Sequence, residues 1–366
     1  MLVLGIESSC DETAFGLVKD GVLVAESVAS QADVHSLFGG VVPELASREH
    51  YRLLGPLFDR FMQSAKFQPS DLDGVAVARG PGLLGSLLVG VSFAKALAFG
   101  ADIPLIGVDH LKAHLLAPGL EQSLDLPALG LLVSGGHTHI YYIEDAGRFS
   151  LLGKTLDDAA GEGFDKVAKM LGLPYPGGRI LDALALIGRE RGQVNKKLFS
   201  YPYLENKNLD FSFSGLKTSV ALYLKNNPSI ISQARSLPAD FAGISEADLA
   251  PAELTELCAS FNHCISHTLC VKLKRAFEQV AAAGRQVKSL IVAGGVAANS
   301  MLREDLQILA DEMQRPLVLP RFSLCTDNGA MIAYAGYLSL ASGYAHSLRL
   351  EAIPRGRNIP EDQICL

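Results

Sequence analysis

The 366-residue sequence has little that would point to secretion or to a membrane. Its six cysteines form no Cys-x-x-Cys pair and no dense framework, which favours reduced thiols over a disulfide-stapled secreted domain. No basic region precedes the N-terminal apolar stretch, and Glu7 interrupts it, so we expect no signal peptide. No run reaches the roughly eighteen unbroken apolar residues that a membrane span needs. These absences predict a cytoplasmic protein without a membrane partner.

The sequence also lacks a surplus of basic residues, since its formal net charge is -7. A protein that binds nucleic acid usually gains affinity by neutralising phosphates with a basic face. If RNA is a substrate of this chain, local basic patches or partner proteins must therefore supply much of the attraction.

Composition and strand pattern predict a duplicated α/β protein. Apolar residues make up 49% of the chain and glycines number 35, as in α/β proteins with many tight turns, and the length favours two domains sharing a cleft. Short β-patterned runs surround a polar turn in residues 3–28, and the same order recurs in residues 129–152. Such duplication predicts the actin, Hsp70 and sugar-kinase (ASKHA) architecture, in which two hairpins grip a nucleotide in the cleft between the domains.

Further runs define the expected domains. Leu254, Leu257, Phe261 and Ile265 begin a helical periodicity that predicts one long core helix over 252–283. We place the first actin-like domain at 1–110, completed by C-terminal helices in 328–366. The second domain then covers 111–327, with a surface insertion near 229–251 that is rich in Ser, Ala, Asp and Pro.

A histidine pair is the first candidate for chemistry. His110 and His114 follow a strand directly and are four residues apart, so both imidazoles can face one metal ion from a helix. His263 and His267 share this spacing but lie inside the long core helix, where we interpret them as a polar stripe. A metalloprotease of the His-Glu-x-x-His type needs a glutamate after the first histidine, and this chain has Leu111 there.

Asp327 is the leading third ligand, because two histidines and a distant carboxylate form a common metal-binding set. It lies in the segment Cys325-Thr326-Asp327-Asn328-Gly329, before an apolar helical run. The alternative role for Asp327 is to cap that helix, which aspartate does very often.

A glycine motif supports a rival function. Gly80-Pro81-Gly82-Leu83-Leu84-Gly85 matches G-x-G-x-x-G between a strand and a helix, and Asp109 follows at a distance typical of a dinucleotide-binding dehydrogenase. The pattern is frequent by chance, however, and Asp109 directly precedes the candidate metal ligand. We therefore favour a structural glycine turn over NAD binding.

Two other glycine turns favour a nucleotide site. Ser134-Gly135-Gly136 and Gly294-Gly295 each follow a predicted buried strand, where paired glycines free backbone amides for phosphate or carboxylate. The second turn leads through Asn299 into a helix, whose N-terminus favours anions. We expect this second turn and Asn299 to hold the adenosine. No Walker-type lysine motif is present, so hairpins and glycine turns must handle phosphate.

As a set and in order, the motifs resemble those of the tRNA adenosine threonylcarbamoyltransferases of the bacterial TsaD type. The resemblance covers nearly the whole chain. It rests on these segments: G-I-E-S-S-C-D-E-T-A (5–14), G-G-V-V-P-E-L-A-S-R-E-H (39–50), H-L-K-A-H (110–114), L-V-S-G-G-H-T (132–138), D-D-A-A-G-E-G-F-D-K (157–166), Y-P-G-G (175–178), D-F-S-F-S-G-L-K-T (210–218), A-G-G-V-A-A-N (293–299) and C-T-D-N-G-A-M-I-A (325–333).

The resemblance implies one divalent metal ion, Fe²⁺ with Zn²⁺ as the alternative, and an ATP- or AMP-type nucleotide. Its metal ligands fall on His110, His114 and Asp327. Its substrate contacts fall on Leu132, Val133, Ser134, Gly135, Gly136, Asp165, Gly178, Asp182 and Asn299. To these we add Asp11 and Glu12 of the first polar turn as candidates for receiving a proton during catalysis.

The implied reaction passes a threonylcarbamoyl group from threonylcarbamoyl-adenylate to the exocyclic amine of the adenosine 3′ of the anticodon, with release of AMP. The tRNAs concerned read codons that begin with adenine. The implied partners are an inactive paralogue of TsaB type and a small ATPase of TsaE type. Arg179 and the pair Lys112-Ala113 depart from the family's usual residues, which affects local contacts and leaves the ligands in place.

Overall fold

The computed structural model describes residues 1–175, 177–238, 241 and 250–365. They form two compact units, of which the first is Met1–Leu124 with Pro320–Leu366 and the second is Asp125–Leu319. The predicted divisions at 110 and 327 fall elsewhere than these boundaries. His114 and Asp327 belong to the first unit, because the helix that carries both histidines packs on the helix that follows Asp327.

The secondary-structure elements follow the predicted alternation of strands and helices. The strands are β1 (Leu2–Glu7), β2 (Glu12–Lys19), β3 (Val22–Ser30), β4 (Gly74–Gly80), β5 (Leu105–Asp109), β6 (Ala128–Val133), β7 (Thr138–Ile143), β8 (Phe149–Lys154), β9 (Ser289–Ala293), β10 (Leu317–Val318), β11 (Tyr344–Ala345) and β12 (Ile364–Cys365). The helices are α1 (Ala32–Ser36), α2 (Pro43–Ala65), α3 (Leu84–Ala101), α4 (His110–Leu116), α5 (Ala160–Leu171), α6 (Gly178–Glu190), α7 (Ser214–Asn226), α8 (Ser229–Arg235), α9 (Ala252–Ala282), α10 (Ser300–Met313), α11 (Phe322–Cys325) and α12 (Gly329–Ala341).

The first unit is built on a five-stranded sheet in the order β3-β2-β1-β4-β5. β1, β2 and β3 are antiparallel neighbours, whereas β4 and β5 run parallel to β1. Helix α12 covers one face, and it comes so close that a Cβ on Gly5 or Gly16 would overlap its backbone. Phe15 faces the opposite way and packs with Phe58 and Phe61 of α2.

The second unit repeats this arrangement in a sheet ordered β10-β9-β6-β7-β8. β6, β7 and β8 form an antiparallel meander, and β9 and β10 extend it on the parallel side. The predicted long core helix is α9, which packs against α6 and α10. The repeated strand order confirms the duplicated α/β architecture.

Among the described residues, helix α3 is the one helix that is long and apolar enough to cross a membrane, by length and composition only. Lys95 interrupts its apolar surface, and Leu87, Val91 and Ala94 are buried within the first unit, where the helix packs on β4 and α2. A core helix passes the same test of length and composition, so this feature is weak evidence for a membrane.

The predicted insertion near 229–251 is described only in part. Its first residues form α8, which packs against α5 and α9. Residues 239, 240 and 242–249 lie outside the described residues.

Candidate functional site

The end of β5 places the histidine pair. Asp109 caps α4, since its carboxylate accepts hydrogen bonds from the backbone N–H of Leu111 (2.9 Å) and Lys112 (3.3 Å). The helix therefore begins at His110 and brings His114 onto the same side one turn later. The centroids of the two imidazole rings are 4.8 Å apart, and the ring planes are nearly perpendicular. His110 is 7% exposed and His114 is 1% exposed.

Asp327 completes a group of three potential metal ligands with the two histidines. Its Oδ1 lies 3.0 Å from His114 Nε2 and 3.5 Å from His110 Nε2. The ligand atoms of all three residues lie within 4.8 Å of one another. The neighbouring Asn328 caps α12 by accepting a hydrogen bond from Met331 N at 2.8 Å. The capping role considered for Asp327 thus belongs to Asn328.

Glu7 contacts His110 at the ring nitrogen opposite the one that faces Asp327, and the sequence did not predict this role. It ends β1, is fully buried, and its Oε2 lies 2.9 Å from His110 Nδ1. The backbone N–H of Ser9 donates to the other carboxylate oxygen, and the Ser9 hydroxyl lies 3.3 Å from the same ring nitrogen. A carboxylate on the outer nitrogen of a ligating histidine orients the ring and raises its basicity. The sequence feature that could have indicated this role is a glutamate at the end of an otherwise apolar strand.

The residues present fit a divalent cation. Two imidazoles and one carboxylate form the donor set typical of non-haem Fe²⁺ and are also compatible with Zn²⁺. Burial by itself lowers the pKa of His110, but the charges of Glu7 and Asp327 outweigh burial and raise it to about 10. This negative potential at the imidazole nitrogens favours a positive ion between the three side chains.

The second histidine pair, His263 and His267, lies in the long core helix α9 and has different surroundings. The His263 ring nitrogen and the Tyr201 hydroxyl are 3.2 Å apart, and the His267 ring stands 4.4 Å from the Tyr201 ring. Burial lowers the pKa of both histidines. Within the part of the chain that the structure describes, the group with Asp327 is the only set of three side chains placed to hold a metal.

The polar turn between β1 and β2 carries Asp11 and Glu12. His50 of α2 fixes this turn, because its Nε2 donates to the Cys10 carbonyl (2.9 Å) and its Nδ1 accepts from Thr13 Oγ1 (2.8 Å). Burial and then the charges of Asp327 and Asp11 raise the pKa of Glu12 to about 9. The structure therefore brings Glu12 into the electrostatic range of the candidate metal ligands, with its carboxyl protonated at neutral pH when no cation is bound.

In the second unit, the two glycine turns meet at one edge of the sheet. β6 and β9 are parallel neighbours, so the turn of Ser134–Gly136 and the turn at Gly294 leave the sheet side by side. Gly294 has φ 94°, and a Cβ there would lie 2.5 Å from the Val133 carbonyl oxygen. Leu132 and Val133 are the last residues of β6, which places the expected substrate segment 132–136 at this edge.

The other expected substrate contacts lie around the starts of α6 and α10. Asp165 accepts from the backbone N–H of Gly177 at 3.1 Å, and Gly178 opens α6. Asp182 accepts from the N–H and the hydroxyl of Ser300 at 3.0 and 2.9 Å. Asn299 caps α10 by accepting from the N–H of its third residue. Asp182 and Asn299 therefore share the N-terminus of one helix.

Atoms of the protein itself occupy the space beside the glycines of the motif at 80–85. A Cβ on Gly82 would lie 2.6 Å from the Ser9 carbonyl oxygen, and one on Gly85 would overlap the Ser47 hydroxyl. Asp109 is engaged as the cap of α4. A pyrophosphate needs open backbone at these glycines, so the geometry supports the structural turn and not the dehydrogenase.

Residues 22–334 match the family described as tRNA N6-adenosine threonylcarbamoyltransferase (TsaD). A protein of that name from Nitratidesulfovibrio vulgaris is 60% identical over 362 residues, which cover 99% of this chain and 98% of that protein. Another from Maridesulfovibrio salexigens is 57% identical over 365 residues, covering 100% of this chain and 99% of that protein.

Among solved structures, full-length HypF in its phosphate- and nucleotide-bound form aligns with a TM-score of 0.52. The alignment has 14% sequence identity and covers 91% of this chain and 45% of HypF. This similarity concerns the fold, and with the repeated strand order it confirms the expected ASKHA-like architecture.

Proposed function

The chain belongs to the tRNA N6-adenosine threonylcarbamoyltransferase family, and from this premise we propose that it transfers threonylcarbamoyl from threonylcarbamoyl-adenylate to tRNA. The acceptor is the exocyclic amine of the adenosine 3′ of the anticodon, in tRNAs that read codons beginning with adenine. The observation that carries this proposal is the near-complete coverage of the chain by relatives of that name.

The reaction is an acyl transfer that balances without water. The N6 amine attacks the carbamoyl carbonyl carbon, a C–N bond forms, and the bond from that carbon to the AMP phosphate oxygen breaks. AMP keeps the electron pair of the broken bond, and the amine loses one proton. Because the adenine amine is a poor nucleophile, the protein must orient it and stabilise the negative charge that develops on the carbonyl oxygen.

We assign the metal to His110, His114 and Asp327, with Fe²⁺ favoured by two imidazoles and one carboxylate and Zn²⁺ as the alternative. When bound there, the ion supplies a Lewis acid for the threonylcarbamoyl carbonyl and a template for that end of the substrate. Glu7 keeps the His110 ring in its ligating orientation through the 2.9 Å hydrogen bond to Nδ1.

Asp11 and Glu12 are the candidates for receiving the amine proton in this proposal. In the metal-free protein, burial and the charges of Asp327 and Asp11 raise the pKa of Glu12, and a cation held by Asp327 lowers that pKa again, which favours the ionised carboxylate that a base needs. Asp11 lies within side-chain hydrogen-bonding reach of Glu12. His50 holds the turn that carries both groups.

We assign the AMP portion of the donor to the second unit. The proposed contacts are Leu132–Gly136, Asp165, Gly178, Asp182 and Asn299. The turns at Ser134–Gly136 and Gly294 leave the sheet side by side, and the second leads through Asn299 into the N-terminus of α10. Backbone amides and a helix N-terminus are both suited to a phosphate group.

The proposed setting is the cytoplasm, which agrees with the six free thiols. The net charge of -7 agrees with help from protein partners in holding tRNA, and we propose the TsaB-type paralogue and the TsaE-type ATPase for this role.

The proposal is tested by depleting the protein in cells and measuring threonylcarbamoyladenosine in isolated tRNA. Loss of this nucleoside and its return with the wild-type gene are expected, and an unchanged level contradicts the proposal. Metal analysis of anaerobically purified protein identifies the ion. Single-turnover transfer with preformed threonylcarbamoyl-adenylate then tests whether this compound, and not another acyl carrier, is the donor.

A further inference from the structure

The segment His346–Cys365, here called the C-terminal strap, is tied firmly to the first unit. At its start, the His346 backbone N–H donates to the Leu105 carbonyl (2.7 Å), and the His346 ring accepts from Gly107 N (3.2 Å). Near its end, Asp362 pairs with both terminal nitrogens of Arg79, whose side chain is 1% exposed. A buried guanidinium without a carboxylate partner is strongly unfavourable, so this pair holds the strap in place.

The middle of the strap runs beside the turn at Gly82. Ile353 N donates to the Arg79 carbonyl (2.6 Å), and Arg355 N donates to the Gly82 carbonyl (3.1 Å). The next residue of the turn donates from its N–H to the Ser9 carbonyl at 2.8 Å. Ser9 in turn touches the His110 ring. The backbone of Arg355 is thus linked by two hydrogen bonds across the Gly82 turn to a residue that contacts the candidate metal centre.

The Pro354–Arg357 turn of the strap carries positive charge. It contains two arginines and no carboxylate, whereas the strap as a whole has three arginines and the three acidic residues Glu351, Glu361 and Asp362, of which Asp362 is paired with Arg79. Arg355 and Arg357 are exposed on a tight turn, closed by a hydrogen bond from Arg357 N to the Pro354 carbonyl (3.2 Å). Among the described residues, no carboxylate lies within 4 Å of the Arg357 guanidinium. The turn is therefore a local basic patch of the kind that the overall charge requires if RNA is to bind.

We propose that the Pro354–Arg357 turn binds phosphates of the tRNA backbone beside the metal centre. This inference rests on the proposed function, which supplies an RNA whose adenosine must reach that centre. A guanidinium can donate two parallel hydrogen bonds to one phosphate, which a lysine cannot do. Because the strap is anchored at both ends, little backbone freedom is lost when RNA binds. RNA is favoured over an acidic protein because the patch adjoins the site of the RNA's own reaction.

The test compares two charge reversals in the full-length protein. One variant carries Arg355→Glu and Arg357→Glu. The control carries Arg60→Glu and Lys19→Glu, which make the same change in charge at exposed positions of the same unit. Binding of a transcribed substrate tRNA is measured by fluorescence anisotropy between 50 and 200 mM salt. For the strap variant we expect affinity to fall about tenfold or more and the log–log salt slope to become shallower by about two.

Several results overturn the inference. Equal losses in the two variants mean a general charge effect and no site at the strap. A fall in AMP binding with unchanged tRNA binding assigns the arginines to the nucleotide. If the strap variant misfolds by circular dichroism, Arg355→Gln with Arg357→Gln keeps the size and polarity, and unchanged tRNA binding in it counts against the site. If the wild-type protein neither binds nor modifies tRNA, the proposed function fails first.

Discussion

The two units share one scaffold and differ at the turn that follows their first strand. In the first unit, β1 leads into Ser8–Asp11, and in the second unit β6 leads into Ser134–His137. The first turn brings carboxylates toward a pair of histidines, whereas the second has two glycines among its four residues and contains no carboxylate.

Under the proposed function, this difference gives a duplicated fold two kinds of site. Carboxylates and imidazoles concentrate negative potential and basic nitrogens, which suit a cation. Backbone amides and a helix N-terminus carry partial positive charge, which suits a phosphate. The sheet gives both turns the same position in their units, and the residue types of each turn determine the charge of the ligand it can hold.

The strongest test of the comparison removes the carboxylate ligand of the first unit. Asp327→Asn keeps the size of the side chain but loses its charge, so we expect metal affinity to fall more than about a hundredfold. Metal content after dialysis against a chelator measures the change. Asn328→Ala is the neighbouring control, which should cost about 1 kcal/mol of unfolding free energy while metal is retained. Full metal occupancy in Asp327→Asn would remove the assignment.

The second test addresses proton handling at the acidic turn. Glu12→Gln should lower the single-turnover transfer rate about a hundredfold, the scale for loss of a general acid or base, while nucleotide affinity stays the same. Asp11→Asn should show a loss of similar size. Normal transfer rates in both variants would exclude this turn from the chemistry.

The pKa of Glu12 gives the same test a pH dependence. The folded value of about 9 lies above the ordinary value of 4.5, so the stability contributed by the protonated carboxyl is complete below pH 4.5. It is lost as the pH rises toward 9. In metal-free protein, urea unfolding should show this decline for the wild type and less of it for Glu12→Gln. Identical pH profiles would contradict the environment described for Glu12.

The third test concerns the support behind the metal ligands. Glu7→Gln keeps hydrogen-bonding oxygen beside His110 but removes the negative charge, so metal affinity should fall about ten- to a hundredfold. Competition with a metal indicator measures it. Ser9→Ala, which removes only the 3.3 Å contact, should have a smaller effect. Equal effects of the two substitutions would assign Glu7 no special role.

The smallest expected effect lies in the glycine turns of the second unit. Gly294→Ala places a methyl against the Val133 carbonyl and strains a backbone with φ 94°, at a cost of about 1–3 kcal/mol. Nucleotide affinity should fall about tenfold by calorimetry, with metal affinity unchanged. Gly295→Ala meets open space and should leave both affinities nearly as they are. Loss of metal in Gly294→Ala would contradict the assignment of the metal to the first unit and of the nucleotide to the second.

Much of the candidate site could be predicted from short sequence patterns. A histidine pair four residues apart faces one side of any helix, so His110 and His114 could be paired without coordinates. Asp327 was predicted as a metal ligand with helix capping as its alternative role. Aspartate and asparagine are both good N-caps, and only the backbone shows that Asn328 caps α12. The hydrogen bond between Glu7 and His110 could not be predicted from the sequence, because it depends on β1 and β5 both lying next to β4 in the sheet.

The sequence alone determined the duplicated α/β architecture and the family, because strand alternation, glycine turns and motif order are properties of neighbouring residues. Tertiary structure decided which polar groups share one environment. Glu7, Glu12 and Asp327 are far apart along the chain, yet all of them act on one cluster of side chains in the first unit. Their electrostatic coupling depends on distance and burial, and these arise only when the sheet and its helices pack.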